Sequence, residues 1–295
     1  MQKKNNPKAF IYLAPALIVL AIFTVYPLIK TFVISFMVKY NPWTTSGDTF
    51  TGWGLGNYTY IFKNKSFIQA LKNTSLYVVF VVPCSVLLSM VIAVLINNTT
   101  KGKGFFQTIY FLPYVTSTIA IGLVWKWIFN ENAGLLNYIL SLFGVEKIAW
   151  LSDKRYMLTS LIIFSIWKSL AFNVLIFLAG LQNISQEYYN AAKIDSTPKW
   201  RVFTKITVPL LSPMILYAFI MGFIGAFKVY NEAVALFGAN GIPGDYATTM
   251  VYYIYDQFYN NHRFGLAAAG SIVLFVITLL LTFVQMKVSK NRVHY

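Results

Sequence analysis

Six long apolar segments constrain the fold of this 295-residue chain more than any other feature of its sequence. Each is long enough, as a helix of roughly 20 residues, to cross about 30 Å of hydrocarbon. Such segments must be helical, because lipid offers no partners to backbone amides and carbonyls. They are Phe10–Met37, Leu76–Ile96, Phe105–Phe129, Met157–Leu181, Leu210–Phe237 and Leu266–Met286. The sequence therefore predicts an all-α, polytopic integral membrane protein with six transmembrane helices.

The first segment starts with basic residues, as a cleaved signal peptide does, but its apolar run is far longer than that of a signal. We therefore predict a retained helix, interrupted near Pro27. Residues 1–9 and 291–295 form short tails in this prediction, and residues 10–290 form a single membrane domain. A short helix is expected outside the membrane, over Thr59 to Lys72.

The distribution of charge predicts the orientation of the chain. With the N-terminus inside, the inner segments carry twelve basic and two acidic residues, whereas the outer loops carry eight basic and six acidic residues. This places both termini, Lys101 and the loop at 185–213 in the cytoplasm, and Asp48 and Glu146 outside. The net charge of +15 fits binding to an anionic inner leaflet and requires no nucleic acid.

The polar interval Ser185–Pro213 carries the densest signal in the sequence. Ser185 is a good N-cap, and Glu187 follows in the first turn, where a negative charge suits the helix dipole. We expect Thr197 to cap a second helix whose first residue is Pro198. The interval is thus predicted to form two short helices joined by a sharp turn at the cytoplasmic surface.

The same interval resembles the cytoplasmic loop of the permease subunits of bacterial ABC importers, whose pattern is E-A-A, three residues, G, nine residues, I-x-L-P. The chain has Asn190-Ala191-Ala192, then Ser196 after three residues, then Ile206-Thr207-Val208-Pro209 after nine. Asn190, Ser196 and Val208 depart from the pattern. We expect Thr197-Pro198 to make the turn without a residue at positive φ, so that serine in place of glycine matters little.

The resemblance extends over nearly the whole chain and is strongest to permeases for carbohydrates, including those for glycerol phosphate. It implies the ABC importer permease fold in a bacterial cell membrane and a heterodimer with a second, homologous permease. It also implies two ABC ATPase subunits, which would bind the ATP and Mg, and an extracellular solute-binding protein that delivers the substrate. Small residues would let one helix of the loop sit close against an ATPase. The implied coupling residues are Glu187, Asn190, Ala191, Ala192, Asp195, Ser196, Pro198, Ile206 and Pro209.

Ionisable residues within membrane helices are costly, and they are therefore candidates for function. Lys168 lies in the middle of its segment, and we expect it either to face a substrate path or to make structural bonds between subunits. Lys228 and Glu232 are four residues apart, so on one helix they would form an ion pair or line the path together. The candidate path residues are Lys168, Asn173, Lys228, Asn231 and Glu232.

Catalytic chemistry has little support in the sequence. It contains no G-x-x-x-x-G-K-[ST], so we expect no ATPase site in the chain itself. His262 and His294 are far apart, no metal-ligand spacing is present, and the single Cys84 has no partner for an intrachain disulfide. An ion-coupled secondary transporter remains an alternative, although no internal repeat is evident. A structural or sensory membrane protein is a third class, but it leaves the spacing of the loop unexplained.

Overall fold

The structure, a computed structural model, describes residues 7–43, 49–98, 102–239 and 242–289. The outermost residues of both tails, Asp48 and Lys101, for which the sequence predicts a side of the membrane, lie outside these ranges. The described part of the chain is helical apart from loops and two strands of two residues each, so the all-α prediction is confirmed. Two compact units are distinguished, residues 1–64 with 254–275, and residues 65–253 with 276–295.

Helices joined by loops of different lengths follow one another along the described chain. The N-terminal part contains α1 (Pro7–Leu20), a π-helical turn (Ala21–Val25), α2 (Tyr26–Ser35), β1 (Met37–Val38), β2 (Gly52–Trp53) and α3 (Gly56–Lys63). The central part contains α4 (Lys65–Asn98), α5 (Lys103–Val115), α6 (Thr118–Ile128), α7 (Leu135–Ser141) and α8 (Met157–Gln182). Then follow α9 (Gln186–Ile194), α10 (Lys199–Val202), a π-helical turn (Phe203–Thr207), α11 (Val208–Leu210), α12 (Ser212–Phe227) and α13 (Asn231–Phe237). The last elements are a 3₁₀ turn (Pro243–Asp245), α14 (Met250–Tyr255), a π-helical turn (Asp256–Asn260) and α15 (Phe264–Ser289).

In the first unit, α1 and α2 form one span with a π-helical turn between them. Proline at position 27 has no N–H to donate back to Phe23, and the helix widens over the residues just before it. The helix continues through Pro27 as one span, Tyr12–Ser35, so the predicted interruption is limited to this π-helical turn. At the end of this span, the Asn57 side-chain amide donates to the carbonyls of Ser35 and Met37, at 3.0 and 2.9 Å. These two bonds attach α3 to the end of the first span.

The prediction of a single outer helix over Thr59–Lys72 is wrong. Instead, α3 ends at Lys63, Asn64 is extended, and α4 begins at Lys65. Residues 65–72 therefore belong to the long helix of the second span. Hydropathy placed the start of that span at Leu76 because the residues before it are polar, although the helix continues through them.

In the second unit, α4, α8 and α12 pack together around buried side chains such as Val82, Phe164 and Phe177. Glycines lie where these helices cross. A Cβ at Gly222 would lie 3.1 Å from Val82, and a Cβ at Gly180 would lie 2.8 Å from Leu211 and from Met214. Small residues of this kind let helices approach closely in a membrane, where apolar association has no hydrophobic driving force.

The third predicted span, Phe105–Phe129, is not a straight helix. It consists of α5 and α6, which meet at an angle of 102°. Thr116 and Ser117 between them are both extended, with ψ of 145° and 128°. Pro113, three residues earlier, cannot donate to the carbonyl four residues before it, which weakens the last turn of α5.

The fifth predicted span, Leu210–Phe237, also differs from the structure. Its membrane helix is α12, which ends at Phe227, and the chain leaves the helix before α13 begins at Asn231. The freed carbonyl of Val229 accepts a hydrogen bond from Thr249 Oγ1 at 2.8 Å, so the break leaves this buried group satisfied. Before α12, the segment Lys199–Leu210 is bent away by 66°.

Within the described residues, four helices are long and apolar enough to cross a membrane. The number rises to six when each of the two bent pairs is counted as one span. The prediction of six spans agrees with the larger count. The third span is a broken helix, and the fifth consists of α12, which follows the bent segment Lys199–Leu210 of the loop.

Candidate functional site

The loop predicted at residues 185–213 is built as two helical segments with a turn between them. Ser185 caps α9, as predicted, because its Oγ accepts a hydrogen bond from the Glu187 amide at 3.3 Å. At the other end of α9, the Thr197 amide donates to the Ala192 carbonyl at 2.9 Å, and the Ser196 amide donates to the Lys193 carbonyl at 3.1 Å. This pair of bonds is the Schellman arrangement that ends a helix.

Two details of the turn differ from the prediction. Ser196 has a φ of 52°, so the turn does require a residue in the left-handed region, which is where the related pattern has glycine. The second helical segment begins at Lys199, because Pro198 is extended with a ψ of 143° and serves as the N-cap in place of Thr197. A Schellman ending needs one left-handed residue, and the fixed φ of proline does not remove that need.

The second segment of the loop is held against the first. Tyr189 Oη and Thr207 Oγ1 lie 3.3 Å apart and share a hydrogen bond. A π-helical turn precedes Pro209, which has no N–H for the carbonyl of Lys205. The loop is therefore a fixed pair of short helices.

The two alanines of the loop face different surroundings. Ala192 is buried within the chain, 6% exposed, whereas Ala191 is exposed. Ala191 lies between Tyr188 and Ile194, which are 53% and 84% exposed. Residues three apart on a helix are about 60° apart around its axis, so these three side chains form one strip. Trp200 on α10 is also exposed, at 74%, and we call these four residues the apolar strip of the loop.

The other sequence-predicted residues of the loop are placed as follows. Side chains at the surface are Glu187, Asn190, Asp195, Ser196 and Pro198, and half-buried ones are Ile206 and Pro209. The coupling residues implied by the sequence did not include Tyr188, Ile194 and Trp200. The sequence could have pointed to them, since they are large apolar residues within a polar interval.

A second polar site lies between α8 and α13. Lys168 Nζ on α8 donates to Glu232 Oε1 on α13 at 2.7 Å, and the two side chains are each 21% exposed. The same Nζ donates to Thr118 Oγ1 at 2.5 Å. A charge that is partly removed from water is stabilised by a partner of opposite sign, so each of these two residues compensates the other.

This pairing replaces the expected pair of Lys228 and Glu232. The expectation needed both residues on one helix, but Lys228 is the C-cap of α12 and Glu232 lies in the first turn of α13. In the structure Lys228 and Asn231 are exposed, and Asn173 is buried. Of the five candidate path residues, the structure brings together Lys168 and Glu232 and adds Thr118, which sequence reasoning missed.

The described residues include no group of three or more His, Cys, Asp or Glu side chains that could hold a metal ion. The two candidate sites are an exposed apolar strip on the loop and an ion pair between α8 and α13. Neither offers a nucleophile with an adjacent base.

Comparison with known proteins identifies the family. Residues 49–293 match the family described as binding-protein-dependent transport system inner membrane component. The chain is 33% identical to the probable ABC transporter permease protein YurN of Bacillus subtilis (strain 168), covering 99% of each chain. It is 31% identical to the lactose transport system permease protein LacF of Rhizobium radiobacter, covering 99% of this chain and 97% of the relative.

A solved structure supports the same fold. It is the crystal structure of a bacterial ABC transporter involved in the import of the acidic polysaccharide alginate. One of its chains superposes with a TM-score of 0.80 at 25% identity, covering 98% of this chain and 96% of that chain. The present chain therefore belongs to the family of binding-protein-dependent transport system inner membrane components, the permease subunits of ABC importers.

Proposed function

We propose that this chain is one of two permease subunits of an ATP-driven importer that moves a carbohydrate into a bacterial cell. In this proposal the second permease is a homologue, an extracellular solute-binding protein delivers the sugar, and two ATPase subunits dock on the cytoplasmic loops. The names of the relatives support a saccharide, since one is a lactose permease and another belongs to an importer of a polysaccharide.

The observation that carries the proposal is the apolar strip on the loop. A loop that only connected two spans would expose polar side chains to water, whereas this one exposes Tyr188, Ile194 and Trp200 on a capped and braced helix pair. Several large apolar side chains exposed among polar ones are typical of a docking site. The spacing of the permease pattern places Ala191 in the middle of that surface, where a small side chain allows close approach.

The alternatives are less well supported. An ion-coupled secondary transporter works without partners, whereas members of this family are components of binding-protein-dependent systems. A glycerol-phosphate importer of the same family would gain from an unpaired ammonium group near the path. Lys168, a candidate path residue, is paired with Glu232.

The substitution Ala191→Trp tests the docking surface. Overfilling a close-packed contact costs about 1–3 kcal/mol, which weakens docking by a factor of about 5 to 150. We expect the variant permease to reach the membrane and to pair with its partner permease, but to lose ATPase subunits on purification and to lose uptake. The measurement is the amount of ATPase that co-purifies with a tagged permease.

Gln186→Trp is the matched control, because Gln186 is also exposed on α9 but lies on the opposite side of the helix from Ala191. It should retain the ATPase. Wild-type amounts of ATPase on Ala191→Trp would show that the strip is not the docking surface. Ala192→Trp is not a suitable test, since Ala192 is buried in the permease itself and the change would disturb the loop.

A further inference from the structure

The ion pair of Lys168 and Glu232 lies where three helical elements meet. The first of these, α6, starts at Thr118, immediately after the break of 102° in the third span. Lys168 Nζ on α8 reaches both Thr118 Oγ1 and Glu232 Oε1. One ammonium group therefore joins α8 to the first residue after the break and to the first turn of α13.

Close packing holds α13 from another side. A Cβ at Gly122 on α6 would lie 2.4 Å from the Cβ of Ala235 on α13, a distance that only glycine permits. Glu232 and Ala235 are three residues apart, so the charged contact and the close packing are about one turn apart on the same short helix. α13 thus contacts α8 through the ion pair and α6 through the close packing of Gly122 and Ala235.

In a membrane, the ion pair constrains the positions of the helices more strongly than apolar packing does. Apolar side chains exchange contacts with lipid at little cost, so apolar surface alone does not prevent helices from sliding in a membrane. Separating two opposite charges there leaves each without compensation, which is costly. The third span bends at Thr116 and Ser117, whose backbone is extended and outside both helices. Because α5 also packs against α8, holding α6 to α8 fixes the angle at this bend.

We propose that Lys168 and Glu232 are positioning residues, whose ion pair holds α6 and α13 to α8 as one body and so sets the angle of the third span at Thr116–Ser117. A role of this ion pair in transport rests on the proposed function. The angle itself is a property of the permease that is measurable without substrate.

The test uses the assembled importer in lipid nanodiscs, with Cys84→Ala as the background. Spin labels on Thr108→Cys in α5 and Leu123→Cys in α6 report the angle, since both side chains are exposed and lie on opposite sides of the break. Pulsed electron resonance gives the distribution of distances between the labels. Lys168→Met and Glu232→Gln should each widen this distribution by about twofold, because the angle is then no longer held in one state.

The exchanged pair, Lys168→Glu with Glu232→Lys, should restore the narrow distribution. The control is Asp153→Asn, which breaks an ion pair with Arg155 in an outer loop and should leave the distribution unchanged. Wild-type widths in both single variants, or an exchanged pair as wide as the single variants, would overturn the proposal.

Thr118→Val gives a second test in case a lone charge prevents assembly. It removes only the hydroxyl that accepts from Lys168, with little change of shape, and it should widen the distribution by less than the charge variants do. A wild-type width in this variant would overturn the attachment of α6. This outcome is independent of the docking test. If Ala191→Trp keeps its ATPase, the proposed role of the loop in coupling is wrong. The distances between the spin labels still decide whether the ion pair holds α6.

Discussion

At the scale of single residues, Ser196 occupies a position whose backbone conformation favours glycine. Its φ of 52° is needed by the Schellman ending of α9, and for a residue with a Cβ the left-handed region costs about 1–2 kcal/mol. Serine is therefore not equivalent to glycine at this position. The departure from the permease pattern lowers the stability of the loop.

Ser196→Gly should stabilise the loop by about 0.5–1 kcal/mol, since the relief of strain exceeds the entropy that glycine loses on folding. In the predicted orientation, trypsin added to inside-out vesicles reaches Lys193, Lys199 and Arg201, and we expect the variant to be cleaved there about 2 to 5 times more slowly if cleavage follows local opening. Thr197→Gly is the control, because Thr197 is not at positive φ, and it should be cleaved faster. Cleavage of Ser196→Gly at or above the wild-type rate would contradict the argument.

At the scale of helical elements, glycines set how closely the helices cross. Gly122 on α6 meets Ala235 on α13, whereas Gly225 on α12 has nothing within 4 Å of the position of a Cβ. The same substitution is therefore expected to have opposite consequences at the two positions. This difference is invisible in the sequence, where both are glycines in apolar helices.

Gly122→Ala should push α6 and α13 apart, at a cost of about 1–3 kcal/mol for overpacking. The midpoint of thermal unfolding of the purified permease, followed by fluorescence-detected size exclusion, should fall by several degrees. Gly225→Ala is the matched control and should unfold at or above the wild-type temperature, because alanine favours the helix. Equal midpoints for the two variants would refute the close crossing.

At the scale of the whole molecule, the charge distribution predicts which side of the membrane each loop faces. Lys193→Cys and Glu146→Cys are exposed positions on opposite predicted sides. In a Cys84→Ala background, an impermeant maleimide should label Glu146→Cys in intact cells and Lys193→Cys only after permeabilisation. Labelling of Lys193→Cys in intact cells would reverse the orientation and place the loop outside.

The sequence alone was sufficient for features that are local along the chain. Hydropathy found six spans because lipid imposes length and composition on each segment separately. The spacing from Asn190 to Pro209 indicated the permease family, and the Ser185 cap marked the start of α9, since each of these depends only on neighbouring residues.

Only the tertiary structure decided which distant residues meet. Glu232 pairs with Lys168, which is 64 residues away, and not with Lys228, because the chain leaves the helix at the end of α12. The same holds for the alanines of the loop, of which Ala192 is buried and Ala191 exposed according to how α9 packs. Hydropathy and spacing describe each helix by itself, whereas pairing and burial depend on how the helices cross, and that is set by packing between segments far apart in the chain.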